Sequence, residues 1–265
     1  MDLKEIVGSL LEQYYVCYPD TEKIVVNINF TDDLGKTYCE LRQDIKEKII
    51  TKGIDYLQKF NGLMVAPYSV KDNINILLNT NKVIEYCNDG SMTWIGTLAH
   101  ELTHAIDFYQ IAKKDNLLSY DTIEDNSEYL MFQFWTEYHA RKLGYSFLRN
   151  CLKVDNDEIS SKEERVNYIL DTEWPTHKQR HFVEYHQDTN GINQIYVTMQ
   201  LLGRYSVWCD LFPKAFNENT FNKNFKTELW MQHLFSFMRK RETLDSIYNN
   251  FECMKKILPE NWPIS

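Results

Sequence analysis

Apolar positions recur every three to four residues over long stretches of this chain and cluster or alternate over shorter ones. Residues 3–15 predict a helix, residues 23–30 a β-branched strand ended by Thr31-Asp32-Asp33, and residues 39–60 an amphipathic helix. After Asn61-Gly62 come three short extended runs, 63–67, 74–78 and 83–86, separated by polar turns, which predict a small sheet. Asn88-Asp89-Gly90 then turns the chain, and Ser91 or Thr93 is placed to cap a helix beginning near Trp94. A second long periodic segment covers 127–148. Beyond Asn150 a charged stretch leads to helical spacing at 162–173, 193–211 and 227–257, punctuated by Pro175 and Pro213, with no internal repeat. This order predicts an α+β fold, with a small mixed sheet and the Trp94 helix in a first lobe, residues 1–150, and a mainly helical second lobe, residues 151–265, closing a cleft.

The Trp94 helix is where the pattern carries chemistry. With His100 at the origin of a helical wheel, Trp94, Ile95, Leu98, Ala99, Leu102, Ala105, Ile106 and Tyr109 centre on the opposite side, while His100, His104 and Asp107 share the other face. Residues four apart on a helix lie about 40° apart in azimuth and about 6 Å apart along the axis, so the two imidazoles of His100-Glu101-Leu102-Thr103-His104 can converge on one ion. Zinc takes neutral histidine nitrogen and, in catalytic sites, keeps one position for a water that it acidifies. Glu101, next to the first histidine, is the candidate general base that takes that water's proton and passes it to a leaving amine.

A third ligand is needed, and the 127–148 segment offers Glu137 and His139 on opposite faces. Tyr129, Leu130, Phe134, Tyr138, Ala140, Leu143, Phe147 and Leu148 surround Glu137, whereas Glu128, His139 and Lys142 share the polar side. An inward carboxylate is costly unless it is paired or bound to a metal, which favours Glu137 over His139, Glu124 or Glu128. Arg141, one turn after Glu137, and Asp107, about one turn after His104, are expected to meet: Asp107 to orient a ligand histidine, Arg141 to hold Asp107 or Glu137. The plain alternative is an ordinary surface pair of Glu137 with Arg141.

These residues resemble the HExxH zincins, and among them the gluzincins, whose third ligand is a glutamate on a later helix, as in thermolysin-like enzymes. The resemblance lies within residues 74–148 and implies a zinc peptidase with His100, His104 and Glu137 as ligands. It excludes the metzincin branch and departs from the thermolysin-like pattern at one position. Asp107 and Gln110 stand where the longer metzincin motif has its glycine and third histidine, and Arg141 stands where thermolysin-like enzymes carry an acidic residue, leaving Asp107 as the candidate supporting carboxylate.

Composition narrows the function further. The 265 residues allow one large domain or two lobes, and 17 Tyr with 14 Phe against nine Gly predict a ring-rich core. A net charge of −9 with dispersed Lys and Arg argues against nucleic acid as partner. Six scattered cysteines without a CxxC pair read as free thiols. The acidic, amphipathic N-terminus lacks the pattern of a secretory signal, and no apolar run reaches the about 18 residues of a membrane span, so a cytoplasmic protein without a membrane partner is expected.

Residues 73–79 are a candidate edge strand on which an extended peptide adds, against the alternative of an interior strand. The helical lobe should supply a donor to the developing oxyanion; Tyr196 and Arg204, on one side of one predicted helix, lead a set that includes His177, His181, Tyr185, His186 and Tyr205. The function expected is hydrolysis of a peptide bond in a peptide or protein substrate. The alternative is a regulatory or binding protein that keeps the zincin fold and metal without hydrolysis, against which the intact Glu101 argues.

Overall fold

The computed structural model describes residues 3–47, 50, 54–156, 158–188, 190–226 and 228–259. The fold is α+β with a small mixed sheet, as the apolar pattern predicts. The chain divides into two compact units, Met1–Asp125 and Asn126–Ser265.

In the first unit the elements are α1 (Leu3–Cys17), β1 (Val26–Thr31), α2 (Leu34–Leu41), β2 (Gly62–Val65), β3 (Ile74–Asn79), α3 (Thr80–Asn88) and α4 (Thr93–Lys114). The strand order is β1-β3-β2, with β1 parallel and β2 antiparallel to β3. The expectation of β3 as a substrate-facing edge is therefore corrected: it is the central strand, and Ile76, Leu77 and Leu78 are fully buried. A strand covered on both faces needs a near-continuous apolar run, which is what Ile74 to Leu78 supplies. The edge nearest α4 is β2. A methyl group at Gly62 would stand 2.8 Å from Thr97 Cγ2, so the absence of a side chain lets strand and helix approach.

Three other expectations change in this unit. Residues 83–86 are helical, because the Asn79 side chain accepts from the Asn81 and Lys82 backbone N–H groups and starts α3 directly from the strand. The predicted 39–60 helix is interrupted: α2 ends at Leu41, and Arg42, 1% exposed, leaves helical geometry to donate to Ala66 O, Asp44 and Asp121. A single turn (Gln43–Ile45) and a short helix (Ile54–Leu57) follow, and residues 48–49 and 51–53 of that expectation lie outside the described residues. Neither Ser91 nor Thr93 caps α4. Met92 precedes it in the left-handed region at φ 50°, and its carbonyl accepts from the Ile95 N–H.

The second unit contains α5 (Leu130–Leu152), α6 (Lys162–Tyr168), α7 (Trp174–Gln187) and α8 (Gly191–Leu211), followed by the shorter helices Glu218–Asn224, Leu229–Met238, Leu244–Tyr248 and Phe251–Lys255. Pro175 does not interrupt the helical path. A π-type turn at Ile169–Glu173 joins α6 to α7, with the Trp174 N–H reaching Ile169 O, and the proline falls in the first turn of α7, where a missing N–H costs little. Helices α5 and α8 run parallel: Tyr196 meets Gln133, Ser206 meets Tyr138, and a methyl at Gly203 would stand 2.6 Å from Tyr138 O and 2.9 Å from Arg141 Cβ. Helix α7 runs antiparallel to α8, with Trp174 against Tyr205 and His181 Nε2 3.2 Å from Thr198 Oγ1. The core is ring-rich as expected, with Trp208, Tyr205, Phe216, Phe221 and Phe235 fully or nearly fully buried in mutual contact. Among the described residues no helix is long and apolar enough to cross a membrane, and the six cysteines form no disulfide.

Candidate metal centre

Helix α4 is apolar enough to be largely buried, and it carries its polar stripe inward with the rest: His100 is 7%, Glu101 9% and Asp107 1% exposed. Burying so many polar groups on one helix is tolerable only where each has a partner or a ligand. Two of those partners explain why α4 holds its pose. Thr103 Oγ1 is 2.8 Å from the hydroxyl of Tyr14 on α1, and the Met64 N–H of β2 donates to Glu101 Oε2 at 2.8 Å. Burial raises the Tyr14 phenol well above its usual range, the Thr103 hydrogen bond opposes that, and the nearby Asp107 carboxylate raises it further.

The histidine side chains face each other. Their Nε2 atoms are 3.1 Å apart, with rings at 88°. Two imidazole nitrogens bound at about 2.0–2.1 Å to one tetrahedral ion stand about 3.3 Å apart, so the pair needs little movement to chelate. Glu101 Oε1 is 4.0 Å from His100 Nε2, so this carboxylate sits beside the ligand pair with its other oxygen tied to β2.

On α5, Glu137 is buried and Arg141 Nη2 donates to its Oε1 at 3.4 Å. His139 lies on the other face, stacked on Trp135 at 4.8 Å. One ligand atom each from His100, His104 and Glu137 fall within 4.8 Å of one another, so a His-His-Glu group is near enough to hold a metal ion. Neutral imidazole and carboxylate donors suit a divalent ion of the first transition row.

Of the oxyanion candidates, Tyr196 donates its hydroxyl to Gln133 Oε1 at 2.8 Å, and Tyr205 and His181 are held by Thr220 and Thr198 inside the helical core. The exposed His186 bonds the Phe182 carbonyl, and Tyr185 stacks with Trp230. Arg204 differs from all of these. It makes no hydrogen bond or ion pair with any described residue, and burial, with Arg141 and Arg180 nearby, lowers it to about 9. His177 is lowered to about 3 by burial and by Arg204, Arg180 and Arg141.

Two contributors escape a reading of the sequence. The Met64 N–H is a backbone group without a side-chain signal. Arg180 stands three residues after His177 on α7, a spacing that marks a shared face but not what lies opposite. Comparison with family models, curated proteins and solved structures returns no match.

Proposed function

We propose that this protein is a zinc-dependent peptidase that hydrolyses a peptide bond, with His100, His104 and Glu137 as metal ligands and Glu101 as general base. The observation that carries this reading is the His-His-Glu group with the Glu101 carboxylate beside it. Zinc in such a group supplies Lewis acidity, acidifying a water and polarising the substrate carbonyl.

The chain's own residues supply the rest. Glu101 accepts the proton of the attacking water on Oε1, while the Met64 N–H fixes Oε2 and so the plane of the carboxylate. The same carboxyl then delivers that proton to the leaving amine. Asp107, buried on α4, is assigned the orientation of a ligand histidine, and Arg141 the orientation of Glu137 through their 3.4 Å contact. Tyr196 is the assigned donor to the oxygen that gains charge, its hydroxyl now resting on Gln133 Oε1, while Arg204, the other candidate, is not needed for that role.

Metal per chain, measured by elemental analysis on the parent and on Glu137→Ala, tests this reading at its base. Near-stoichiometric zinc in the parent and a sharp fall in the variant are expected. A parent that takes up no metal when zinc is supplied removes the proposal.

A further inference from the structure

Three helices of the second unit bring arginines to one level. Gly203 packs against Arg141, because α5 and α8 run parallel in that register, and so places Arg204 beside Arg141. Helix α7 descends antiparallel along α8, with Trp174 at Tyr205 and His181 at Thr198, which sets His177 and Arg180 at the same height. The rings confirm the level: His177 is 6.2 Å from Tyr145 and 5.9 Å from Trp208, residues one turn beyond Arg141 and Arg204 on their respective helices.

Charge in this cluster is not balanced. Arg180 pairs with Glu184 at 2.7 Å, and among the described residues Arg141 has only the long 3.4 Å contact to Glu137, with its buried Nε lacking a hydrogen-bond partner there. Arg204 has no such partner among the described residues. Three guanidinium groups thus share one ordinary ion pair and one weak contact to a carboxylate assigned to metal. Arg141 and Arg180 are near enough to Arg204 to repel its charge, and the buried Arg141 Nε left unbonded costs free energy, so an anion that completes the arrangement would stabilise it. Burial is the first cause of the depressed basicity of Arg204 and His177, and the neighbouring arginines add to it.

We propose that Arg141, Arg180 and Arg204 form a carboxylate-binding site adjoining Glu137, and that it receives the free C-terminal carboxylate of a peptide substrate. The planar fork of a guanidinium matches a carboxylate through two parallel hydrogen bonds. A peptide has one such group wherever its sequence ends, and Arg141 connects this site to the metal group through Glu137. The assignment rests on the peptidase reading and deepens it: cleavage is confined to bonds near the C-terminus.

The test is binding of one N-acetylated trialanine peptide as free acid and as amide, measured calorimetrically on Glu101→Gln as purified, so that hydrolysis does not consume it. The free acid is expected to bind at least tenfold tighter. Arg204→Met should erase the difference, and the exposed Arg180→Met, which carries little risk to folding, should reduce it severalfold. Equal affinity for acid and amide, or a preference unchanged in both variants, overturns the proposal. Stronger Arg204-dependent binding of inorganic phosphate than of the free acid overturns the carboxylate assignment. Turnover by the parent separates the two readings. Acid-selective binding without hydrolysis by the zinc-loaded parent leaves this site standing and removes the peptidase, whereas equal cleavage of acid and amide does the reverse.

Discussion

The backbone N–H of Met64 donates to Glu101 Oε2 at 2.8 Å, tying the edge strand β2 to the motif helix. Because β2 pairs with β3 on one side only, this N–H points away from the sheet and is available to a carboxylate. The bond places an ionised acceptor at a strand edge and fixes which Glu101 oxygen faces the histidine pair.

Replacing Met64 by Pro removes that donor without removing a ladder bond, since proline is tolerated on edge strands where the N–H faces away. We expect Met64→Pro to retain metal, to lose about 1.5–3 kcal/mol of stability with the charged hydrogen bond, and to lower kcat about tenfold through a less well oriented Glu101. Peptide turnover at saturating substrate checks this, and an unchanged kcat in a folded, metal-loaded variant removes the orienting role.

Glu101→Gln keeps shape and a hydrogen-bonding oxygen but has no basic carboxylate. The expected result is a fall in kcat of about 10²–10⁴-fold with metal content unchanged. A variant that turns over like the parent would show that Glu101 is not the base; a parent without turnover on a broad peptide library, metal being present, favours the binding-protein alternative.

Much of the candidate centre was legible because it depends on local periodicity. His100, His104 and Glu137 could be assigned faces from wheels alone, and Glu137 is buried while His139 stacks outward on Trp135. What could not be read depends on partners distant in sequence. Residues 83–86 have a strand-like pattern, yet Asn79 caps them into a helix; β3 looked open to a peptide until β1 and β2 took both of its edges. Pro175 signals a break in one dimension, but the π-type turn before it absorbs the missing donor. The arginine cluster is the extreme case, since Arg141, Arg180 and Arg204 come together only through helix direction and register.

Gly203 sets that register. A methyl there would stand 2.6 Å from Tyr138 O and 3.0 Å from Lys142 N, both backbone atoms of α5 that cannot rotate away. Gly203→Ala should therefore force α5 and α8 apart and cost about 1–3 kcal/mol despite the better helix propensity of alanine. It should also weaken metal binding, because Glu137 and Arg141 ride on the displaced helix. Denaturant melts and metal content check both effects; a variant as stable as the parent would mean that the helices separate at no cost.

His177 and His181 predict how stability responds to acid. Burial comes first among the causes that lower them, to about 3 and about 4, against about 6.5 for an ordinary histidine. For His177 the neighbouring Arg204, Arg180 and Arg141 add to it, and for His181 the nearby His186 does. With folded values depressed, the unfolded chain binds the extra protons first, so the stability from keeping both rings neutral is present above pH about 6.5 and is lost as pH falls toward the folded values. Each histidine contributes a slope of up to about 1.4 kcal/mol per pH unit. Denaturant unfolding at pH 7, 6 and 5 should show a steep loss in the parent, less steep in His177→Phe and in His181→Gln. Comparing slopes between proteins cancels the titration of the metal ligands, common to all three. Parallel lines for parent and variants would show that these rings are not held neutral by burial and by the arginine cluster.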